Sequence, residues 1–275
     1  MNRAIRLTLL LASLPLPFLI PGVPGLFGGQ AAYRAAMLWG LPAAAALLAS
    51  FVFSRWPGSS GPHGVRGVRG AVPWGALRMA PWLLLAVLAD FSFLGAGHLL
   101  GWVTFTFGDQ GFSGHPGRMM AWSLPLCLVV ATLGYEWTLR GTLLAAWAER
   151  IPRPLALLFS SASGVLLASP LIVPGLQVPD PHYVLAAFLT AAFREISFAL
   201  IVLSGAGLVA AGLYHGLILC LDAFVINDWY SVHFPAANFT SSEPAFYLLR
   251  SMSAVLAAAM VAIGAHLVNR RRGRA

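Results

Sequence analysis

The sequence predicts an all-α fold, a polytopic membrane helical bundle of about eight transmembrane helices with both termini cytoplasmic. Three observations predict it. Hydrophobic residues make up 59% of the 275 residues and charged residues only 9%, at a mean hydropathy of +0.78, whereas a soluble domain carries about 25% charge. The apolar residues gather in runs as long as a bilayer core requires, about 20 residues per helix. The arginines lie mostly between those runs, concentrated in every second interval.

Taken in order, the runs cover roughly 5–26, 35–54, 80–103, 120–147, 154–174, 183–203, 206–226 and 246–268. Arg3 and Arg6 ahead of the first run resemble the start of a signal peptide. Prolines interrupt that run and no small-residue cleavage site follows, so a retained first helix is expected. The stretch Trp56–Pro73, with Gly-Val-Arg-Gly-Val-Arg-Gly at 64–70, holds too much glycine for a stable element and reads as a solvated linker near anionic headgroups. Arg3 and Arg6, Arg55 to Arg78, Arg150 and Arg153, and Arg270 to Arg274 all fall on one side if eight spans cross. That side is cytoplasmic by the positive-inside rule. The opposite intervals carry Arg34, Arg118 and Arg250 near span ends. Asp228–Pro244 then lies outside, where Trp229, Tyr230, Phe234 and Phe239 form an interfacial aromatic anchor. Three regions follow: 1–119 with helices one to three and the basic loop, 120–227 with helices four to seven, and 228–275 with the outer loop, the last helix and a basic tail. No internal repeat of the kind transporters carry is visible.

The net charge of +8 comes from seventeen arginines and no lysine. Nucleic acid is the usual partner at a pI near 10.5, but arginines placed between apolar runs orient helices instead. The expected partner is the lipid bilayer. Usage rich in Arg, Ala, Leu, Gly and Pro is that of a GC-rich bacterial genome, and points to the bacterial cytoplasmic membrane. Cys127 and Cys220 sit inside apolar runs as small core residues. With no CxxC and no HExxH, neither a metal nor a cofactor is expected.

A charged side chain near mid-bilayer costs about 2.5–3.5 kcal/mol on insertion scales, so each buried charge needs a reason. The most informative stretch is Gly134-Tyr135-Glu136-Trp137-Thr138-Leu139-Arg140-Gly141. Its carboxylate and guanidinium, spaced i, i+4, form either an ion pair within one helix or part of a site. At 1.5 Å per residue, Asp90, Arg194, Glu195 and His215 lie about 12–14 Å from the inner ends of their spans, with Glu136 roughly 17 Å in. Arg194 and Glu195 point about 100° apart and need partners on neighbouring helices. His215 reads alone as a core histidine, although Asp222 shares its face; Asp90 reads as a proton-relay acid or a hydrogen-bonded buried group. His98, His182 and His266 lie nearer span ends.

Glu136 with Arg140-Gly141 late in one helix, and a later helix containing Ser-Gly-Ala-Gly-Leu-Val-Ala-Ala-Gly-Leu-Tyr-His (204–215), resemble the CPBP family. These are intramembrane glutamic proteases related to the CAAX prenyl endopeptidase, and include bacterial Abi proteins and myxosortases. The resemblance covers residues 125–222. It implies hydrolysis of a peptide bond in a membrane-anchored protein or peptide, such as a C-terminal sorting helix. On the family pattern EExxxRG, FxxxH and HxxxN, Glu136 matches the second glutamate and would be the base. Arg140 would be its positioning partner, and His215 the oxyanion or water ligand. Tyr135 stands where the first glutamate belongs, Val165 and Ser169 where the middle motif would fall, and Leu219 where asparagine is expected. Glu195, at similar depth one helix away, is the candidate replacement for the missing glutamate. Two other functions fit the same residues: an inactive membrane partner protein on this fold, and a proton-coupled transporter using the buried charges as a polar pathway.

Overall fold

The computed structural model describes residues 3–20, 26, 33, 36–54, 73–106, 116–172, 181–222, 238–241 and 245–272. Among the described residues the chain is a helical bundle with one small ribbon. Helix α1 (Arg3–Ser13) runs into a 3-10 turn at Leu16–Leu19; a π turn at Ala36–Gly40 leads into α2 (Leu41–Ser54). Next come α3 (Pro73–Asp90), α4 (Ser92–Leu99) and α5 (Pro116–Val129). A π-helical stretch, Val130–Leu144, continues α5 and passes into α6 (Ala145–Ala148). Then follow α7 (Arg153–Ile172), α8 (Pro181–Leu203), α9 (Gly207–Cys220) and α10 (Ala245–Arg272).

These helices fall on the apolar runs of the sequence. Leu77–Leu99, Val184–Leu203 and Phe246–Arg270 are long and apolar enough to cross a membrane, while Ala4–Leu19, Ala36–Phe51 and Gly207–Cys220 are shorter apolar helices. Leu47, Leu84, Leu88, Val209 and Met252 each leave more than half of their surface uncovered. Apolar surface of that extent is what a bilayer covers on a membrane protein.

Three local features depart from the sequence reading. The third run does not continue as helix to 103. It breaks at Phe91 (φ −96°, ψ 3°), resumes as α4, and gives way to β1 (Val103–Thr106). That strand pairs antiparallel with β2 (Asn238–Ser241), Phe105 opposite Phe239. Each strand holds one phenylalanine among β-branched or polar residues, a composition suited to a pleated ribbon. Phe239 therefore belongs to a strand; Trp229, Tyr230 and Phe234, like the linker around Arg66 and Arg69, lie outside the described residues. Arg250, assigned above to an outer interval, is a helical residue of α10 with 1% exposure.

Two apolar cores meet along α9. One joins α1, α2 and the π stretch through Leu7, Leu11, Leu41, Tyr135 and Leu139, and takes in Leu219. The other joins α3, α8, α9 and α10 through Met79, Phe198, Tyr214, Ile218 and Val261. A tight turn at 204–206 makes α8 and α9 antiparallel neighbours. Gly205 and Gly207 have φ of 79° and 91° there, a region L side chains avoid. On its other side α9 meets the π stretch and the end of α5 at bare glycine surfaces. A Cβ on Gly212 would lie 3.0 Å from the Thr132 backbone, and one on Gly216 would lie 2.8 Å from that of Leu128. Glycines four apart allow this close approach.

Candidate functional site

Because α9 lies between α8 and the π stretch, polar groups from three segments converge. His215 Nδ1 lies 2.8 Å from Glu136 Oε1. Arg140 Nη1 reaches the same Glu136 oxygen at 3.5 Å, the outer limit of a hydrogen bond. Its Nη2 donates to the Glu195 backbone carbonyl at 2.8 Å and is ion-paired to Glu195 Oε2. The i, i+4 pair read from the sequence is thus the weaker half of Arg140's pairing, and the shorter bonds cross to α8. Glu136, Arg140, Glu195 and His215 are 0%, 0%, 5% and 7% exposed, so the four share one buried group. The π winding is rare outside single turns and is often found at functional sites; here it carries two of the four residues.

Aromatic rings fix the imidazole. Phe198 stacks on His215 at 4.1 Å with planes 9° apart, and Tyr135 approaches at 5.0 Å. Arg140 lies 5.5 Å from the Phe198 ring centre, within cation–π range. Glu195 needs a bare backbone beside it, since a Cβ on Gly164 of α7 would coincide with its carboxylate. Ser160, also on α7, donates to the Leu139 carbonyl at 2.8 Å and ties α7 to the π stretch.

A second network stands beside the first. Arg194 donates through Nε to Asp90 Oδ2 at 2.9 Å and is ion-paired to Asp222. Arg250 Nη2 reaches Asp222 Oδ1 at 3.5 Å. Arg250 lies 4.6 Å from the Phe93 ring centre and Arg194 5.8 Å from that of Phe91. This network joins α3, α8, α9 and α10. Asp90, Arg194 and Asp222 were visible in sequence as buried charges, and their partners were not. Arg250 was missed because its position near a span end resembled an orienting charge.

Between the networks lies a cavity of about 40 Å³, lined by Tyr135, Arg194, Glu195, His215, Leu219 and Asp222 with Ala168, Ala191, Phe198 and Ile218. A water molecule needs about 10–15 Å³ by this measure, so a few fit. Glu136 does not line the cavity; it stands behind His215 and reaches the space through that ring. Ser169, at the middle-motif position, donates to the Leu166 carbonyl of its own helix at 2.7 Å. His98 Nδ1 lies 3.3 Å from the Val103 carbonyl at the ribbon's edge. Among the described residues no three His, Cys, Asp or Glu side chains gather as a metal site. Chemically, the group offers a carboxylate and an imidazole facing a small cavity, each held by a buried partner.

No family model, no curated protein and no solved structure matches the chain.

Proposed function

We propose that the chain is an eight-span protein of the bacterial cytoplasmic membrane with both termini cytoplasmic, of the CPBP type, and that it hydrolyses a peptide bond in a membrane-anchored substrate. The observation that carries this reading is the convergence of Glu136, Arg140, Glu195 and His215 into one buried group beside a cavity. Tyr135 and Leu219, at positions where the family pattern carries glutamate and asparagine, line the same cavity. Hydrolysis without a metal needs a base for water and donors for the developing oxyanion. In this proposal Glu195 and His215 bear on the water, being the carboxylate and imidazole that line the cavity. Glu136 holds His215 through Nδ1, so that Nε2 is the ring nitrogen left to act. Glu136 is then a positioning residue, and the base role expected of it passes to the groups in front. Arg140 fixes Glu195.

The test compares the C-termini of membrane proteins in cells carrying wild type, Glu195→Gln, His215→Gln or Glu136→Gln. Termini that appear only with wild type and vanish in the first two variants are expected, with Glu136→Gln retaining partial cleavage. Identical termini in all four strains, with every protein stably inserted, would remove hydrolysis from consideration.

The cavity's volume favours one second reading. A space for a few waters suits proton transfer better than a peptide, and the buried charges then serve a proton-coupled transporter. Proton-driven flux in vesicles that disappears in Asp90→Asn would select it.

A further inference from the structure

The cavity is not placed symmetrically along the bundle. Its lining on α8 and α9 begins at Phe198 and His215 and extends in one direction. From Glu195 it passes one turn on to Ala191, toward the start of α8 at Pro181. From His215 it passes to Leu219, in the last turn of α9, and to Asp222 beyond that helix. On α7 the lining residue is Ala168. At 1.5 Å per residue it stands about 6 Å from the helix end at Ile172 and about 22 Å from the start at Arg153. Leu219 is likewise about 18 Å from the start of α9 at Gly207. Ile172 shares an apolar cluster with Ala187 and Ala191, so the end of α7 and the first half of α8 lie side by side. All three helices thus carry the space toward the end of the bundle where α7 stops and α8 begins. The opposite direction is closed by packed side chains. Phe198, 2% exposed, stacks on His215. Behind it Leu144, Ala156 and Ala199 join the π stretch, α7 and α8 in a buried apolar cluster.

We propose that reactants reach Glu195 and His215 from the end of the bundle where α7 stops and α8 begins, past Ala168, Ala191 and Leu219. The lining of this route suits it. Arg194, Glu195 and Asp222 face the space, and a cavity with polar walls holds water where an apolar one stays dry. Ala168 and Ala191 meet the passage with methyl groups alone, so the size of these two residues sets its width. On the proposed topology this end faces the outer side of the membrane. The bond cut then lies in a segment presented at the outer face, that of an exported protein and not of a cytoplasmic one. That a peptide takes this route rests on the proposed hydrolysis; the route itself does not.

The experiment is cysteine protection by silver ion, a probe small enough for a space that holds a few waters, on the full chain in sealed vesicles. Ala168→Cys and Ala191→Cys put a thiol on the passage. Pro181→Cys and Arg153→Cys put one at the exposed starts of α8 and α7, at opposite ends of the bundle, and mark which end meets the added ion. Wild type, whose Cys127 and Cys220 are buried, is the blank. Silver is added to one face in chloride-free buffer, the excess is precipitated with chloride, and thiols still free are alkylated after solubilisation. Expected at positions 168 and 191 is a loss of alkylation when the ion is on the Pro181 side, and no loss when it is on the Arg153 side. Protection from the Arg153 side, or from neither side, would overturn the route. Either cavity variant decides the matter if the other does not fold. Should Pro181→Cys prove to face the cytoplasm, the topology would fall and the route stand. Unchanged C-termini in cells, with the protection pattern as expected, would remove the hydrolysis alone.

Discussion

At the scale of single residues, Arg140 carries the most. It is fully buried and bonded to two carboxylates on different helices, so its removal strands both. Arg140→Met is expected to cost about 3–5 kcal/mol, the penalty for breaking a buried pair by deleting one partner. The double variant Arg140→Met/Glu195→Met should recover a good part of that loss, since no unpaired charge then stays at the α8 end. Reversible unfolding in mixed micelles measures both. If the double variant proves as unstable as the single, the pairing is not what holds these helices. Gly164 tests the same pair from the opposite side. Gly164→Ala puts a methyl where the Glu195 carboxylate lies, whereas Gly95→Ala meets nothing within 4 Å. The first should destabilise by about 1–3 kcal/mol, and the second should be neutral or stabilise by up to about 1 kcal/mol. Much at this scale was legible in the sequence, because a charge in an apolar run announces itself by its cost. Glu136, Arg140 and Glu195 were readable in that way, whereas His215, which reads alone as a core histidine, entered through the family resemblance. The pairings among them were not, since they depend on how α8 and α9 rotate against the π stretch. The dependence on Gly164 was hidden too, as a missing side chain has meaning only beside its neighbour.

At the scale of elements, α9 is the one that assembles the site. Its glycines at 212 and 216 face Thr132 and Leu128, its His215 serves one network, and Asp222, two residues past its end, serves the other. Gly216→Leu should push α9 away from α5 and lengthen the Glu136–His215 bond. The expected result is a loss of about 1–3 kcal/mol in stability, together with a change in the NMR signal of the His215 ring nitrogens. An unaltered signal in a folded variant would uncouple the helix contact from the site. Helix existence was plain from the runs of apolar residues, and the break at 204–206 was marked by Ser-Gly-Ala-Gly. The π winding of Val130–Leu144 was not marked, because composition differs little between helix types. The β1–β2 ribbon escaped for another reason: its two halves lie over a hundred residues apart, and four-residue strands carry little periodic signal.

At the scale of the whole molecule, the proposed topology makes its own prediction. Reporter fusions after residue 70, after residue 152 and at the C-terminus should all report cytoplasm, and a fusion at residue 235 should report the outer side. Any reversal among them would break the eight-span arrangement. The basic intervals gave this orientation from sequence alone, since arginine placement is a one-dimensional record of insertion. The two networks, in contrast, exist only in three dimensions. Four helices meet through Asp90, Arg194, Asp222 and Arg250, of which adjacent members are separated by 104, 28 and 28 positions in the chain.

Those separations set a timetable for biogenesis. During synthesis at about 5–20 residues per second, the aspartate of α3 emerges roughly 5–20 s before the arginine that will neutralise it. An acidic side chain alone at mid-bilayer costs about 2.5–3.5 kcal/mol. On the proposed eight-span topology the insertion machinery would have to shelter α3 until α8 arrives, after which α9 and α10 would follow at intervals of about 1–6 s and close the network. On that topology the ion pairs that hold the finished bundle would also set the order in which its helices can be released into lipid.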